Sequence, residues 1–514
     1  MQLEKDERPD SYWIISLLRK NDSAKGPFMS SESRRNRSRH QAILKIEGQN
    51  LFKIDDDGGL LSNFGGLPVA ARVAQNSGLL EMAAERIPEW RNPDTAMFPI
   101  ETLLSQRVFL TSCGFPDAID CSFFKDDPAL KSALKEEPDG PPLSSQSTQT
   151  RMEDNISEST VEALEALPLD FFFSQFEHVP RALMLYFDGS AIRTFGAQQK
   201  STYRGGKKYS QTQYFPLIAT TDGGDLLLAQ LREGGHSDAK SVETIMKLLR
   251  DIRAKWKHVE LTVVMDTGFN SPELLTELEK EKILYVIGYP ATSSVQSKIK
   301  DMIKSVENDF RKTYGAPLYT DKDWKKSWQI EHERVRSLPT EQRMVAEREM
   351  ASRHVRWVYQ IDHDGVNWEH DRTVINRIDF TDKGIDIRCV VTNIKNGSAE
   401  SVYDDFYCRR ARIETFIKEN KSHCKVPLSC QKFTSNQFRF TALQGLSYML
   451  LHQMRKELPE TNQKISLNTI RKTLLLIPVR ITASTRRLHW HLSSVHLHSK
   501  TVIQMARKLQ ARTA

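Results

Sequence analysis

Residues 181–190 read RALMLYFDGS and residues 259–268 read VELTVVMDTG. Each is a short, mainly apolar run that ends in an acid followed by turn-forming residues. A short apolar run of this kind predicts a strand. Between the two runs stand YFPLIATTD (214–222) and DLLLAQLRE (225–233), two further strands joined at the turn signal DGGD, then a helix over SVETIMKLLRDIRAKW (241–256). After them, SPELLTELEKEKI (271–283) predicts a helix with Ser271 as N-cap and Pro272 at its first position, and ILYVIGY (283–289) a further strand. Strands mixed with helices give an α/β class.

The chain has 514 residues, enough for roughly two to four domains. Its 39% hydrophobic and 27% charged content fits a soluble globular protein. The most apolar stretch, 440–454, is flanked by Arg439 and Arg455 and is too short to span a membrane. The N-terminal MQLEKDERPD is charged and lacks the apolar core of a secretory signal. Six scattered Cys without a C-x-x-C pair point to a reducing cytoplasm, not to a disulfide framework. Charge is uneven. Residues 407–514 carry 20 Lys and Arg against four acids, a net +16, which leaves −9 for residues 1–406. A basic quarter on an acidic body suits a polyanion, because Lys and Arg that meet phosphates release condensed counterions.

Composition and pattern divide the chain into segments. Residues 1–50 form a flexible basic tail, with SYWIISLLRK (11–20) as a short helix and Arg34, Arg35, Arg37 and Arg39 as a basic arm. Residues 51–142 form a helical N-terminal domain, a candidate DNA-recognition module or a cap on the main domain. There Pro68 starts a helix that Gly78 ends, and TLLSQRVFLTSCG (102–114) closes on another glycine. Residues 143–180 are linker and helix, and 181–290 the first part of the α/β core. Residues 291–400 are a β-rich insertion, charged and weakly helical at first. Residues 401–455 complete the core with two helices, and 456–514 are a basic C-terminal region with a strand pair around ITASTRRLHWHL (481–492).

Asp188 and Asp266 close neighbouring strands, where α/β folds gather their sites. A third acid, Glu414, lies in YCRRARIETFIKENK (407–421). At 100° per residue, Arg410, Glu414 and Lys421 fall within about 40° of one another, and Tyr407 about 20° from Glu414. The stripe suits a metal and the phosphates around it. Three carboxylates offering only oxygen suit Mg²⁺, with Mn²⁺ as a substitute, and two ions about 3.5–4 Å apart serve phosphodiester chemistry. Arg410 and Lys421 would then hold the phosphodiester, with Tyr407 donating to a phosphate. Lys207 and Lys208, in RGGKKYSQTQY (204–214), are candidate contacts to the DNA backbone. Each of these residues also has a structural reading: a turn former for either aspartate, a surface ion pair for Glu414.

The series Tyr407-x2-Arg410-x3-Glu414-x6-Lys421 resembles the Y-R-E-K signature of bacterial insertion-sequence DDE transposases. FDGS (187–190) and MDTGF (265–269) are similar to the segments that carry the first two acids of that family, and VVTNI (390–394) precedes the glutamate helix as expected. FGGLPVAARVAQNSGLL (64–80) and SQSTQTRME (145–153) look like the insertion-sequence-1380 branch, and the resemblance as a whole is to the insertion-sequence-1380 / insertion-sequence-4 type. The resemblance implies a ribonuclease-H-like catalytic core with Asp188, Asp266 and Glu414 as its metal-binding triad, and a strand-rich insertion before the glutamate. It implies Mg²⁺-dependent strand cleavage and strand transfer on double-stranded DNA, at element ends and target, by a homodimer in the bacterial cytoplasm, associated with the nucleoid. It also makes Trp324, Trp328, Trp357 and Trp368 candidates for an aromatic beside a flipped base. Two rivals use the same residues: a metal-dependent nuclease that cuts without joining, and a DNA-binding protein with an inactive core.

Overall fold

The computed structural model describes residues 41–205, 210–315, 317, 324–459, 464–484 and 487–511. The expected helix at 11–20 and the arginines at 34–39 lie outside the described residues. The chain divides into two units, one ending at Gly59 and the other beginning at Leu60. The first holds an antiparallel hairpin of β1 (Gln41–Lys45) and β2 (Leu51–Asp55), with Gln41 opposite Asp55.

The second unit begins with β3 (Leu60–Ser62). Its central strands are β4 (Ala182–Gly189), β5 (Ile192–Arg193), β6 (Thr202–Arg204), β7 (Gln211–Tyr214), β8 (Leu217–Thr221), β9 (Leu226–Gln230), β10 (Glu260–Met265) and β11 (Leu284–Tyr289). Later come β12 (His354–His363), β13 (Arg372–Thr381), β14 (Gly384–Thr392), β15 (Val479–Ser484) and β16 (Arg487–Leu492). The main sheet runs β12-β13-β14-β11-β10-β4-β8-β9. β4, β10 and β11 are parallel, while β8 is antiparallel to β4 and to β9. Numbered along the chain, β4, β8, β9, β10 and β11 take the order 3-2-1-4-5, which fits a ribonuclease-H-like core. Two small sheets, β5-β7-β6 and β16-β15-β3, lie outside it.

Residues 291–400 are helical first, over Ser293–Lys298, Lys300–Tyr314, Trp324–Arg336 and Thr340–Ser352. Their three strands then extend the main sheet, since β14 pairs with β11 through Ile287 and Val391. These three strands build no sheet of their own, because an unpaired edge strand is a liability and the free edge of β11 offers a ladder to complete.

Alternate residues of the central strands enter different cores. Tyr186, Ile218 and Val264 join one that also holds the N-terminal helices, such as Ile100–Cys113 and Glu158–Ser174, and the C-terminal helix Gly445–Lys456. Leu185, Phe187, Val263 and Met265 face the helices Val242–Lys255 and Pro272–Lys280. The sheet is thus covered on both faces. A buried ion cluster ties the N-terminal helices to a C-terminal one. Glu153 accepts from Arg107 at 3.1 Å and from Arg439 at 2.6 Å, all three buried. No helix among the described residues is long and apolar enough to cross a membrane.

Candidate active site

β4 and β10 are parallel neighbours in a register that pairs Val264 with Tyr186. Two residues further along each chain stand Asp266 and Asp188, so both acids leave the sheet at the same carboxyl edge. Asp188 is half-buried. Burial pushes its carboxyl up to about 6, Lys421 pulls it down, and Asp266 pushes it up again. Asp266 caps the turn Thr267–Phe269, its Oδ1 accepting from the Gly268 amide at 2.8 Å. β11 passes close to that turn: a Cβ at Gly288 would lie 2.6 Å from Thr267 Oγ1 and 2.9 Å from the Tyr407 hydroxyl. Only glycine leaves that space.

The third acid stands on the helix Arg410–His423. Glu414 has a side chain 62% exposed and accepts from Arg410 Nη2 at 2.9 Å. The other guanidinium nitrogen, Nη1, lies 3.9 Å from Asp266 Oδ2, so Arg410 spans the two acids. The same guanidinium stands 5.9 Å from the centre of the Tyr407 ring. Tyr407 ends a π-helical segment, Val402–Tyr407, and two turn residues separate it from the helix. A count of 100° per residue therefore does not carry back to it. It reaches the site through its ring and hydroxyl, and burial pushes its pKa up.

Asp188 and Glu414 line one open depression of about 320 Å³, with Ser190, Lys418 and Lys421 beside them. Burial lowers the pKa of the Lys421 ammonium, and Asp188 and Asp238 raise it again. The fold thus brings Asp188, Asp266, Tyr407, Arg410, Glu414 and Lys421 to one edge of the sheet. The three carboxylates of the expected triad do not converge as placed: among the described residues, no group of three His, Cys, Asp or Glu is arranged to hold a metal ion. Glu414 is engaged by Arg410 instead.

Lys207 and Lys208 lie outside the described residues. Trp357 and Trp368 pack against the second core, and Lys383 sits 3.9 Å over the Trp328 ring. Nothing is described of the Trp324 side chain. One acid at this edge escaped the sequence reading. Asp238, in the loop after β9, bears on the charge of both Asp188 and Lys421. Its only sequence signal was its place in REGGHSD (232–238), a loop leaving a strand of the same sheet.

The acids offer only oxygen donors, the set that suits a hard divalent cation. Asp188 stands between the acids Asp266 and Asp238 and the cations Lys421 and Arg410, and burial, more than neighbouring charge, raises its carboxyl. A bound dication favours the ionised form that burial disfavours. The residues present offer the donor set for a divalent ion, which Glu414 would join only by parting from Arg410.

A family model described as "Transposase DDE domain group 1" matches residues 45–514. No curated protein matches the chain. Among solved structures, similarity is found to the piggyBac transposase synaptic complex with hairpin DNA. The identity is 10%, with 80% of each chain covered and a TM-score of 0.39. It is also found to the Mos1 transposase paired-end complex with left transposon end, at 12% identity, over 40% of this chain and 73% of that one, with a TM-score of 0.15.

Proposed function

This chain belongs to the transposase DDE domain group 1 family, and on that premise we propose how its residues perform the work of a DNA transposase. Asp188, Asp266 and Glu414 are the acids that hold the divalent ions this family uses. Mg²⁺ is the ion, Mn²⁺ substitutes for it, and two are held. The core is ribonuclease-H-like, and the series from Tyr407 to Lys421 is the Y-R-E-K signature of the insertion-sequence-1380 and insertion-sequence-4 types. The observation that carries this reading is the bridge made by Arg410. One guanidinium touches Glu414 and approaches Asp266, so an acid 148 residues further along the chain shares a cation with the strand-end aspartate.

Bound ions would activate the attacking water or 3′-hydroxyl and stabilise the leaving oxygen. The chain's own groups hold the phosphodiester. Arg410, once parted from Glu414, takes two phosphate oxygens in bidentate fashion, and Tyr407 braces it from beneath and donates to the phosphate. Lys421 acts as a half-buried point charge beside Asp188. Lys207 and Lys208 contact the DNA backbone. The chain works as a homodimer, since two element ends must be joined to one target.

The test is incubation with Mg²⁺, donor DNA carrying the sequences that flank the reading frame, and a target duplex. Wild type yields cut ends and joined products. Asp188→Asn, Asp266→Asn and Glu414→Gln each abolish both while retaining DNA binding. Joined products from any of the three variants at the wild-type rate would remove that residue from the triad. Cut ends without joining would favour a nuclease.

A further inference from the structure

The loop that connects β9 to the helix Val242–Lys255 braces the chain segments carrying both strand-end aspartates. Arg232 opens it. Its buried guanidinium donates to the carbonyl oxygens of Phe215 at 2.9 Å and Pro216 at 3.4 Å, to the Ser241 hydroxyl, and to Asp238 Oδ1 at 3.1 Å. Phe215 and Pro216 lead into β8, whose first residue, Leu217, pairs with Gly189 of β4. The Asp238 side chain is only 10% exposed.

Two glycines are cut to fit that carboxylate. A Cβ on Gly189 would overlap Asp238 Oδ1, and a Cβ on Gly268 would fall 3.1 Å from Asp238 Oδ2 and 3.0 Å from Asp266 Oδ1. Gly189 directly follows Asp188. Gly268 donates its amide to Asp266. One side chain therefore wedges between the backbone of the first aspartate and the turn of the second. The brace is needed there because the hydrogen-bond ladder between β4 and β10 ends at Tyr186 and Val264, before either acid. Beyond that ladder no register pair joins the two strands directly, and side chains between them bear on their separation. Because Asp238 is paired with Arg232, it contributes shape to this edge more than net charge.

We propose that Asp238, locked by Arg232, is a positioning residue that sets the spacing of Asp188 and Asp266 for a divalent cation. The inference rests on the reading of those two acids as metal-binding. Positioning groups of this kind typically change metal affinity by about 10- to 100-fold.

The experiment is calorimetric titration of the full chain with Mn²⁺ alone, without DNA, alongside thermal melts without metal. Asp238→Ala removes the wedge and weakens Mn²⁺ binding by about tenfold or more, with the metal-free melt showing a folded protein. Asp238→Asn keeps the size and an oxygen toward Arg232, and restores affinity to within about threefold of wild type. Gly268→Ala keeps both Asp238 and Arg232 but crowds the Asp238 and Asp266 carboxylates, and weakens Mn²⁺ binding even should Asp238→Ala fail to fold. Wild-type affinity in a folded Asp238→Ala or in Gly268→Ala overturns the inference. So does Asp238→Asn binding as weakly as Asp238→Ala, because charge and not shape would then be at work. A wild type that binds no Mn²⁺, or an Asp188→Asn variant that binds like wild type, overturns the underlying reading of the triad instead.

Discussion

The Asp188 carboxyl, pushed up to about 6 by burial, binds its proton more tightly in the folded protein than in the unfolded chain, where about 3.9 is usual. Ionising it therefore costs stability. The cost is absent below the unfolded value, grows as pH rises between the two, and is complete above about 6. Such a group serves a cation, not the fold. In metal-free protein we expect Asp188→Asn to raise the melting temperature at pH 8, on the order of 2 °C or more, and to lose that advantage toward pH 4. A lower melting temperature for the variant at both pH values would show that the ionised acid is not a burden. Adding Mn²⁺ should reverse the ranking at pH 8, because a ligand that binds only the folded state stabilises it by mass action. Glu414 differs. Its own end of the pair with Arg410 is exposed, and ion pairs open to solvent contribute about 0–1 kcal/mol. Its release toward a cation is correspondingly cheap.

The glutamate helix is held by its far half. Phe416 lies on the β8–β9 turn, where Gly224 has φ +89° and a Cβ would meet the Phe416 ring at 2.8 Å. The Gly224 carbonyl accepts from the Tyr448 hydroxyl at 2.7 Å. Buried Glu419 accepts from Arg455 at 2.9 Å and from the Leu467 amide at 3.0 Å, and Asn420 accepts from Gln444 at 2.6 Å. Glu419→Ala would leave Arg455 buried without its partner, and we expect a loss of about 3–5 kcal/mol in urea denaturation. A loss under about 1 kcal/mol would mean that the pair anchors nothing. Gly224→Ala should push Phe416 outward, reducing cleavage more than DNA binding; equal losses in both would show general unfolding instead. Local signals at this scale were legible in the sequence. Ser271 caps the helix Pro272–Lys280 with Pro272 at its start, and Gly78 and Gly114 close helices in left-handed conformation. The apolar runs at 182–188 and 259–266 match β4 and β10 to within a residue at each end, with the acids at one edge. Those features depend on neighbours in the chain. What remained hidden depends on distant partners: that β14 completes the edge of β11, that DGGD seats the glutamate helix, and that Asp238 reaches Gly189 and Gly268. The π-helical segment before Arg410 also shifts the phase of Tyr407, which no spacing rule for an α-helix records.

Over the whole molecule, the basic quarter from 407 to 514 has to be divided between structure and surface. Its net charge of +16 overstates what DNA can meet. Arg439 is buried against Glu153 and Arg455 against Glu419, while Arg471 is spent on the carbonyl oxygens of Thr111, Ser112 and His423. These three arginines hold the N-terminal helices, the glutamate helix and the C-terminal region together. Lys418, Lys432, Lys472, Arg480 and Lys500 are exposed. Lys418 lines the depression shared by Asp188 and Glu414. Each cation that meets a phosphate releases a counterion, so the logarithm of the binding constant for duplex DNA falls with the logarithm of salt by about 0.9 per contact. We expect non-specific binding to weaken steeply between about 50 and 200 mM salt. We also expect Lys418→Ala to reduce the slope by about one, uniformly across sequences, with the melting temperature unchanged. Arg471→Ala should instead lower the melting temperature, because it strips hydrogen bonds from three carbonyls. A flat salt response in wild type, or a Lys418→Ala variant with the wild-type slope, would move the DNA path away from the depression and from the acids that line it.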